Sequence, residues 1–110
     1  MSEQPSPTAP EARIATLAEF WPFYMSEHRN ARNRQLHFAG TTLAVALLMA
    51  AIFTRRPQLL LAALLAGYGF AWFGHFIIER NRPATFKYPL WSLMCDFRLW
   101  LLMLSGKAWR

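Results

Sequence analysis

The stretch Q-L-H-F-A-G-T-T-L-A-V-A-L-L-M-A-A-I-F-T at 35–54 carries no charge in twenty positions. The stretch P-Q-L-L-L-A-A-L-L-A-G-Y-G-F-A-W-F-G-H-F-I-I at 57–78 carries none in twenty-two. Only Arg55 and Arg56 separate them. A helix that crosses the hydrocarbon core of a bilayer needs about 20 mostly apolar residues, so each run is long enough. Inside lipid every backbone N–H and C=O must find a partner within its own segment, which makes helices of both. The link Thr54-Arg55-Arg56-Pro57 is so short that the second helix must return antiparallel to the first. The pattern predicts an all-α membrane protein built on a transmembrane helical hairpin, with spans at about 35–54 and 58–79. Gly67, Gly69, Ala71 and Gly74 would let the two helices approach closely.

Working outward, residues 1–10 hold Pro5, Pro7 and Pro10 among Ser, Thr and Gln, the composition of a disordered tail. Residues 11–110 then form a single membrane-embedded helical domain. Ile14, Leu17, Ala18 and Trp21 recur at three- and four-residue steps and predict an N-terminal helix over 11–26. Pro22 should bend or restart it. The W-P-F-Y stretch at 21–24 has the aromatic character of a membrane interface. The block E-H-R-N-A-R-N-R at 27–34 is strongly polar. Beyond the hairpin, 83–89 reads as a loop between two prolines. Residues 90–104 are apolar but too few to span, and they include Asp96 and Arg98. They predict an interfacial or re-entrant C-terminal helix.

Bulk composition agrees. The 110-residue chain is 55% hydrophobic yet carries a formal charge of +6, a conflict for a water-soluble globule. The arginines flank apolar runs, so anionic lipid head groups are the expected partner and nucleic acid is not. The polar, partly acidic first 30 residues do not read as a signal peptide. The lone Cys95 has no disulfide partner and no C-x-x-C mate, and is expected to be buried and inert. Arg29, Arg32, Arg34, Arg80, Arg82 and Lys87 border the open end of the hairpin, against two arginines in its turn. This bias puts the open end on the cytoplasmic side. A homo-oligomer is compatible with all of this.

The chain has three histidines: His28, His37 and His75. In an antiparallel hairpin the start of the first span and the end of the second lie at one membrane face, so His37 and His75 become neighbours. His75 and Glu79 are four apart and share a helix face, as do Asn33 and His37. His28 is nine residues from His37. On one straight helix that is about 13.5 Å of rise and roughly half a turn of rotation, which forbids a common ion. His28 joins the others only if the chain breaks within 27–34.

Three imidazoles with a carboxylate suit Fe, Zn, Cu or Ni, and non-haem Fe(II) sites use such sets with positions left open for oxygen. Glu79 or Glu27 could serve as ligand, partner or base. Glu27, Asn30, Asn33 and Asn81 could hold the second imidazole nitrogens. Two other readings fit the same spacing: a haem held by His37 and His75, or a non-enzymatic membrane scaffold whose histidines are merely interfacial. Arg34 and Arg82 could pair with the carboxylate of an acidic lipid, or simply anchor in head groups.

Two longer stretches carry a resemblance: F-Y-M-S-E-H-R-N-A-R-N-R-Q-L-H-F-A-G-T at 23–41 and G-Y-G-F-A-W-F-G-H-F-I-I-E-R-N-R-P-A-T-F at 67–86. With E-H-x-N, N-x-x-x-H and G-H-x-x-x-E-x-x-R-P-A, the chain resembles the membrane-embedded 2-hydroxy-fatty-acid dioxygenases of phytosphingosine breakdown. It looks like one of the short bacterial members long grouped as a domain of unknown function. The resemblance covers most of 17–100. It implies an Fe(II) enzyme that uses molecular oxygen to shorten a 2-hydroxy long-chain fatty acid by one carbon (α-oxidation). It maps the required histidines onto His28, His37 and His75 and implies a bacterial inner-membrane location; Glu79 falls within the shared motif without an implied role, and its candidacy as a catalytic base rests on its place one helical turn from His75. Longer members carry a second histidine where this chain has Glu27, and have more spans.

Overall fold

The computed structural model describes residues 14–110, and all regular structure among them is helical. The expected tail at 1–10 lies outside the described residues.

Helix α1 spans Leu17–Ser26. Thr16 caps it, its side-chain oxygen accepting the Glu19 N–H at 3.2 Å, with Glu19 in the first turn favoured by the helix dipole. The helix runs through Pro22 as one element, so of the two expected effects of this proline a restart does not occur. It ends at Glu27, and the chain turns through His28 and Arg29. Asn30 is extended (φ −81°, ψ 127°), and its side chain accepts the Arg32 N–H at 2.8 Å. That is the geometry of a new N-cap. The break that a shared histidine site requires is therefore present, and the polar 27–34 block supplies it.

Helix α2 spans Ala31–Thr54, starting four residues ahead of the apolar run. Arg55 adopts the left-handed conformation (φ 55°) and closes it, and Pro57 opens α3 (Gln58–Phe73). α3 continues as a π-helical segment, Gly74–Glu79, that ends at a left-handed Arg80. Together α2 and the continuous Gln58–Glu79 helix are long and apolar enough to cross a membrane. Two points of close approach join them. A Cβ on Gly40 would strike the Cβ of Phe70, and one on Gly74 would strike the Asn33 carboxamide. Gly67 sits against Ala44, whereas Gly69 faces open space and takes no part in the packing.

A short 3-10 turn at Ala84–Phe86 lies in the expected loop, and α4 spans Pro89–Leu104. Cys95, Leu99 and Met103 on one face of α4 pack on Phe20 and Tyr24 of α1, with Ala84 beside them. This small core covers the open end of the hairpin. The hairpin's far half stays bare: Ile52, Phe53, Leu61, Leu64 and Leu65 are each more than half exposed.

Candidate metal centre

The three histidines arrive from three different pieces of chain. His28 comes from the turn after α1, His37 from the second turn of α2 and His75 from the π segment. All three are buried. Each offers one ligand atom, and those atoms lie within 4.8 Å of one another. The His28 and His37 Nε2 atoms are 3.1 Å apart. The rings stand edge to face, with centroids 4.4 to 4.9 Å apart.

The hydrogen bonds fix the tautomers. His28 Nδ1 lies 2.6 Å from the Tyr24 carbonyl oxygen, and His37 Nδ1 lies 3.1 Å from that of Asn33. A carbonyl only accepts, so both Nδ1 atoms carry protons. His75 Nδ1 lies 2.7 Å from Asn81 Oδ1. The amide is oriented by its other end, since Asn81 Nδ2 donates to the Glu27 carbonyl at 3.0 Å and to Glu27 Oε2 at 3.2 Å. His75 Nδ1 is therefore a donor too. Three neutral imidazoles are left with three Nε2 lone pairs pointing at one spot. Converging acceptors without a donor between them repel, and a cation at that spot removes the repulsion. The donor set thus fits a metal ion, with each outer nitrogen already held as metal-bound histidines require.

Electrostatics keep His28 in the ligating form. Burial, then its two histidine neighbours, hold it well below the ordinary imidazole value of 6.5. Burial also raises the Glu27 carboxyl, helped by nearby Glu79 and opposed by the Asn81 hydrogen bond.

The other expected site residues occupy different places. Glu79 accepts the Asn30 N–H, tying the π segment to the start of α2, and stands outside the group that could hold a metal. Glu27 supports Asn81, which in turn supports His75. Asn33 serves His37 through its backbone carbonyl; its carboxamide is fully buried, and neither polar atom has a hydrogen-bond partner among the described residues. Arg34 is engaged by backbone. Its guanidinium donates to the carbonyls of His28 (2.6 Å), Arg29 (2.8 Å), Ala108 (2.9 Å) and Arg110 (2.6 Å). Arg82 is exposed and does not line the cavity at the histidines.

That cavity, about 400 Å³, has the three histidines at one end. From there it follows Thr41, Ala44, Val45 and Leu48 of α2 and Leu60, Ala63, Leu64 and Gly67 of α3. His37 to Leu48 alone is about 16 Å of helix rise. Tyr24, Ser92 and Asp96 complete the polar end. Tyr24 stacks on His28 with centroids 4.0 Å apart, and its hydroxyl donates to Asp96 Oδ1 at 2.5 Å. Burial pushes Asp96 up to about 7. Sequence reading missed these three. An acid inside an apolar segment was the available signal for Asp96. Arg98, two residues on, lies 4.1 Å over the Trp21 ring. Cys95 is buried, and burial raises its thiol to about 11, as an inert cysteine requires.

A family model described as 2-hydroxy-palmitic acid dioxygenase Mpo1-like matches residues 14–108. The chain belongs to the Mpo1-like family. No curated protein and no solved structure matches it. The Mpo1-like match takes in all three histidines, Asn81 and the whole of α4, so the centre and the cavity both lie inside the shared unit.

Proposed function

We propose that the protein is an Fe(II)-dependent dioxygenase that shortens 2-hydroxy long-chain fatty acids by one carbon. The observation that carries this reading is the convergence of three unprotonated Nε2 atoms at the head of a long apolar groove. The family's description as a 2-hydroxy-palmitic acid dioxygenase supports it. The overall change balances without an outside reductant: a 2-hydroxy acid and dioxygen give the acid one carbon shorter, carbon dioxide and water.

His28, His37 and His75 would hold the iron, which when bound supplies the capacity to activate oxygen and to gather the substrate's polar end beside it. The chain's own residues do the rest. Tyr24, Asn33 and Asn81 fix the imidazole orientations from behind. The groove between α2 and α3 takes the acyl chain, and each buried methylene is worth about 0.8 kcal/mol. Glu27 and Glu79 are engaged elsewhere, so the proposed ligand set is three histidines with the remaining positions open. The bare apolar surface of the hairpin is what a bilayer would cover, and the substrate would enter from that bilayer. We further propose the cytoplasmic face of a bacterial inner membrane for the histidine end, from the excess of flanking arginines.

The haem reading is disfavoured by the same geometry. Rings with centroids 4.9 Å apart cannot stand on opposite faces of a macrocycle. The test is metal analysis and an optical spectrum of detergent-purified protein, followed by incubation with 2-hydroxyhexadecanoate under air. Iron near one per chain, no Soret band and a fifteen-carbon product are expected. Metal-free protein at full yield, or a haem spectrum, would refute the reading.

A further inference from the structure

The wall of the cavity contributed by α4 bears two polar groups with unspent hydrogen-bonding capacity. Ser92 and Asp96 are four residues apart and therefore share a face of the helix. Both line the cavity that the histidines line, and Asp96 reaches the histidines through Tyr24. Ser92 is 2% exposed, and its buried hydroxyl has no hydrogen-bond partner among the described residues, a costly condition for such a group. Among the described residues Asp96 takes a hydrogen bond at one oxygen, from the Tyr24 hydroxyl. Since Tyr24 also stacks on His28, the carboxyl is held at a fixed position relative to the imidazoles. Arg98, the nearest cation in sequence, is occupied over Trp21. An acyl chain needs neither group. A head group with one acceptor and one donor needs both.

We propose that Ser92 and Asp96 read the substrate's head group, Ser92 donating to its carboxylate and Asp96 accepting from its 2-hydroxyl, so that α4 selects 2-hydroxylated over unsubstituted acids. The inference rests on the dioxygenase reading and names the residues that give it specificity. The division of labour follows from chemistry. A serine hydroxyl can donate to a carboxylate, and a second carboxylate there would repel it. In its ionised form, which prevails above about pH 7, the free Asp96 oxygen accepts a hydroxyl proton. An unsubstituted fatty acid would leave that oxygen desolvated and unpaired, and buried groups left unpaired are what make such sites reject the analogue lacking the hydroxyl.

The test is displacement of a fluorescent fatty acid from the metal-loaded protein in detergent under argon, by 2-hydroxyhexadecanoate and by hexadecanoate, with metal content measured in parallel. Wild type should prefer the 2-hydroxy acid by about tenfold or more. Asp96→Asn keeps an oxygen for Tyr24 but turns a donor to the cavity, and should bring the preference to within about threefold. Ser92→Ala should weaken both acids alike, by about three- to tenfold, leaving the ratio intact. Both variants should retain wild-type metal content. An undiminished preference in Asp96→Asn overturns the inference and leaves the dioxygenase reading standing. So does loss of metal from that variant, which would make Asp96 a support for His28. If wild type binds neither acid, the dioxygenase reading falls and this inference with it.

Discussion

Replacing Asn81 with Ala isolates what holds His75. The side chain joins three groups: Oδ1 accepts from His75 Nδ1 at 2.7 Å, and Nδ2 donates to the Glu27 carbonyl at 3.0 Å and its carboxylate at 3.2 Å. In Asn81→Ala the His75 ring is free to turn, and its proton can sit on Nε2, the nitrogen the metal needs. Losing such an outer partner weakens metal binding by about 10- to 100-fold, or about 1.4 to 2.7 kcal/mol. Competition between the purified protein and a chromophoric chelator for Co(II) or Zn(II) reads this directly. Asn81→Asp separates the two halves of the role. It keeps an acceptor for His75 but loses the donor to Glu27 and adds a carboxylate near Glu27 and Glu79. Its metal affinity should stay within about threefold of wild type, while its thermal midpoint falls. Wild-type affinity in Asn81→Ala would refute the tautomer argument on which the centre rests.

Three further outcomes are expected. Arg34→Lys cannot reach four carbonyls at once, so it should lower the thermal midpoint, by about 2–3 kcal/mol in stability, without a selective loss of acid binding; a selective loss would restore Arg34 as a substrate group. Gly40→Val puts side-chain atoms where Phe70 already lies and should cost about 1–3 kcal/mol, seen as easier denaturation in detergent; an unchanged midpoint would contradict the packing of α2 on α3. The metal-free protein should lose stability as pH falls below about 6.5, the value His28 would have when unfolded. The unfolded chain then binds a proton that buried His28 refuses, by up to about 1.4 kcal/mol per pH unit for this one group. Stability rising on acidification, in denaturant titrations at several pH values, would refute that sign.

Much of the fold is legible in the chain. Two uncharged runs of spanning length, separated by two arginines, leave little choice but a helical hairpin, because length and apolarity are local properties. The residues of the centre are legible for the same reason: a hairpin joins the ends of its arms, which pairs His37 with His75. His28 was conditional, because propensity alone does not say whether the polar 27–34 block breaks. Asn30 decides it by capping a new helix. The uses of the charged residues were not legible. Glu79, Arg34 and Arg98 each have several partners within reach of a long side chain, and which one they take depends on where remote segments dock.

The sequence by itself determined the helical hairpin, the apolar surface it presents and the three histidines at its open end. Periodicity, charge placement and chain connectivity suffice for these. Only the tertiary structure decided which imidazole nitrogen faces inward, that the carboxylates of Glu27 and Glu79 support the centre from outside it, and that α4 brings Ser92 and Asp96 over the cavity. Those outcomes hang on hydrogen bonds between residues far apart in the chain, His75 with Asn81 with Glu27, and Tyr24 with Asp96. No local pattern encodes such pairings; they exist only once the helices have packed.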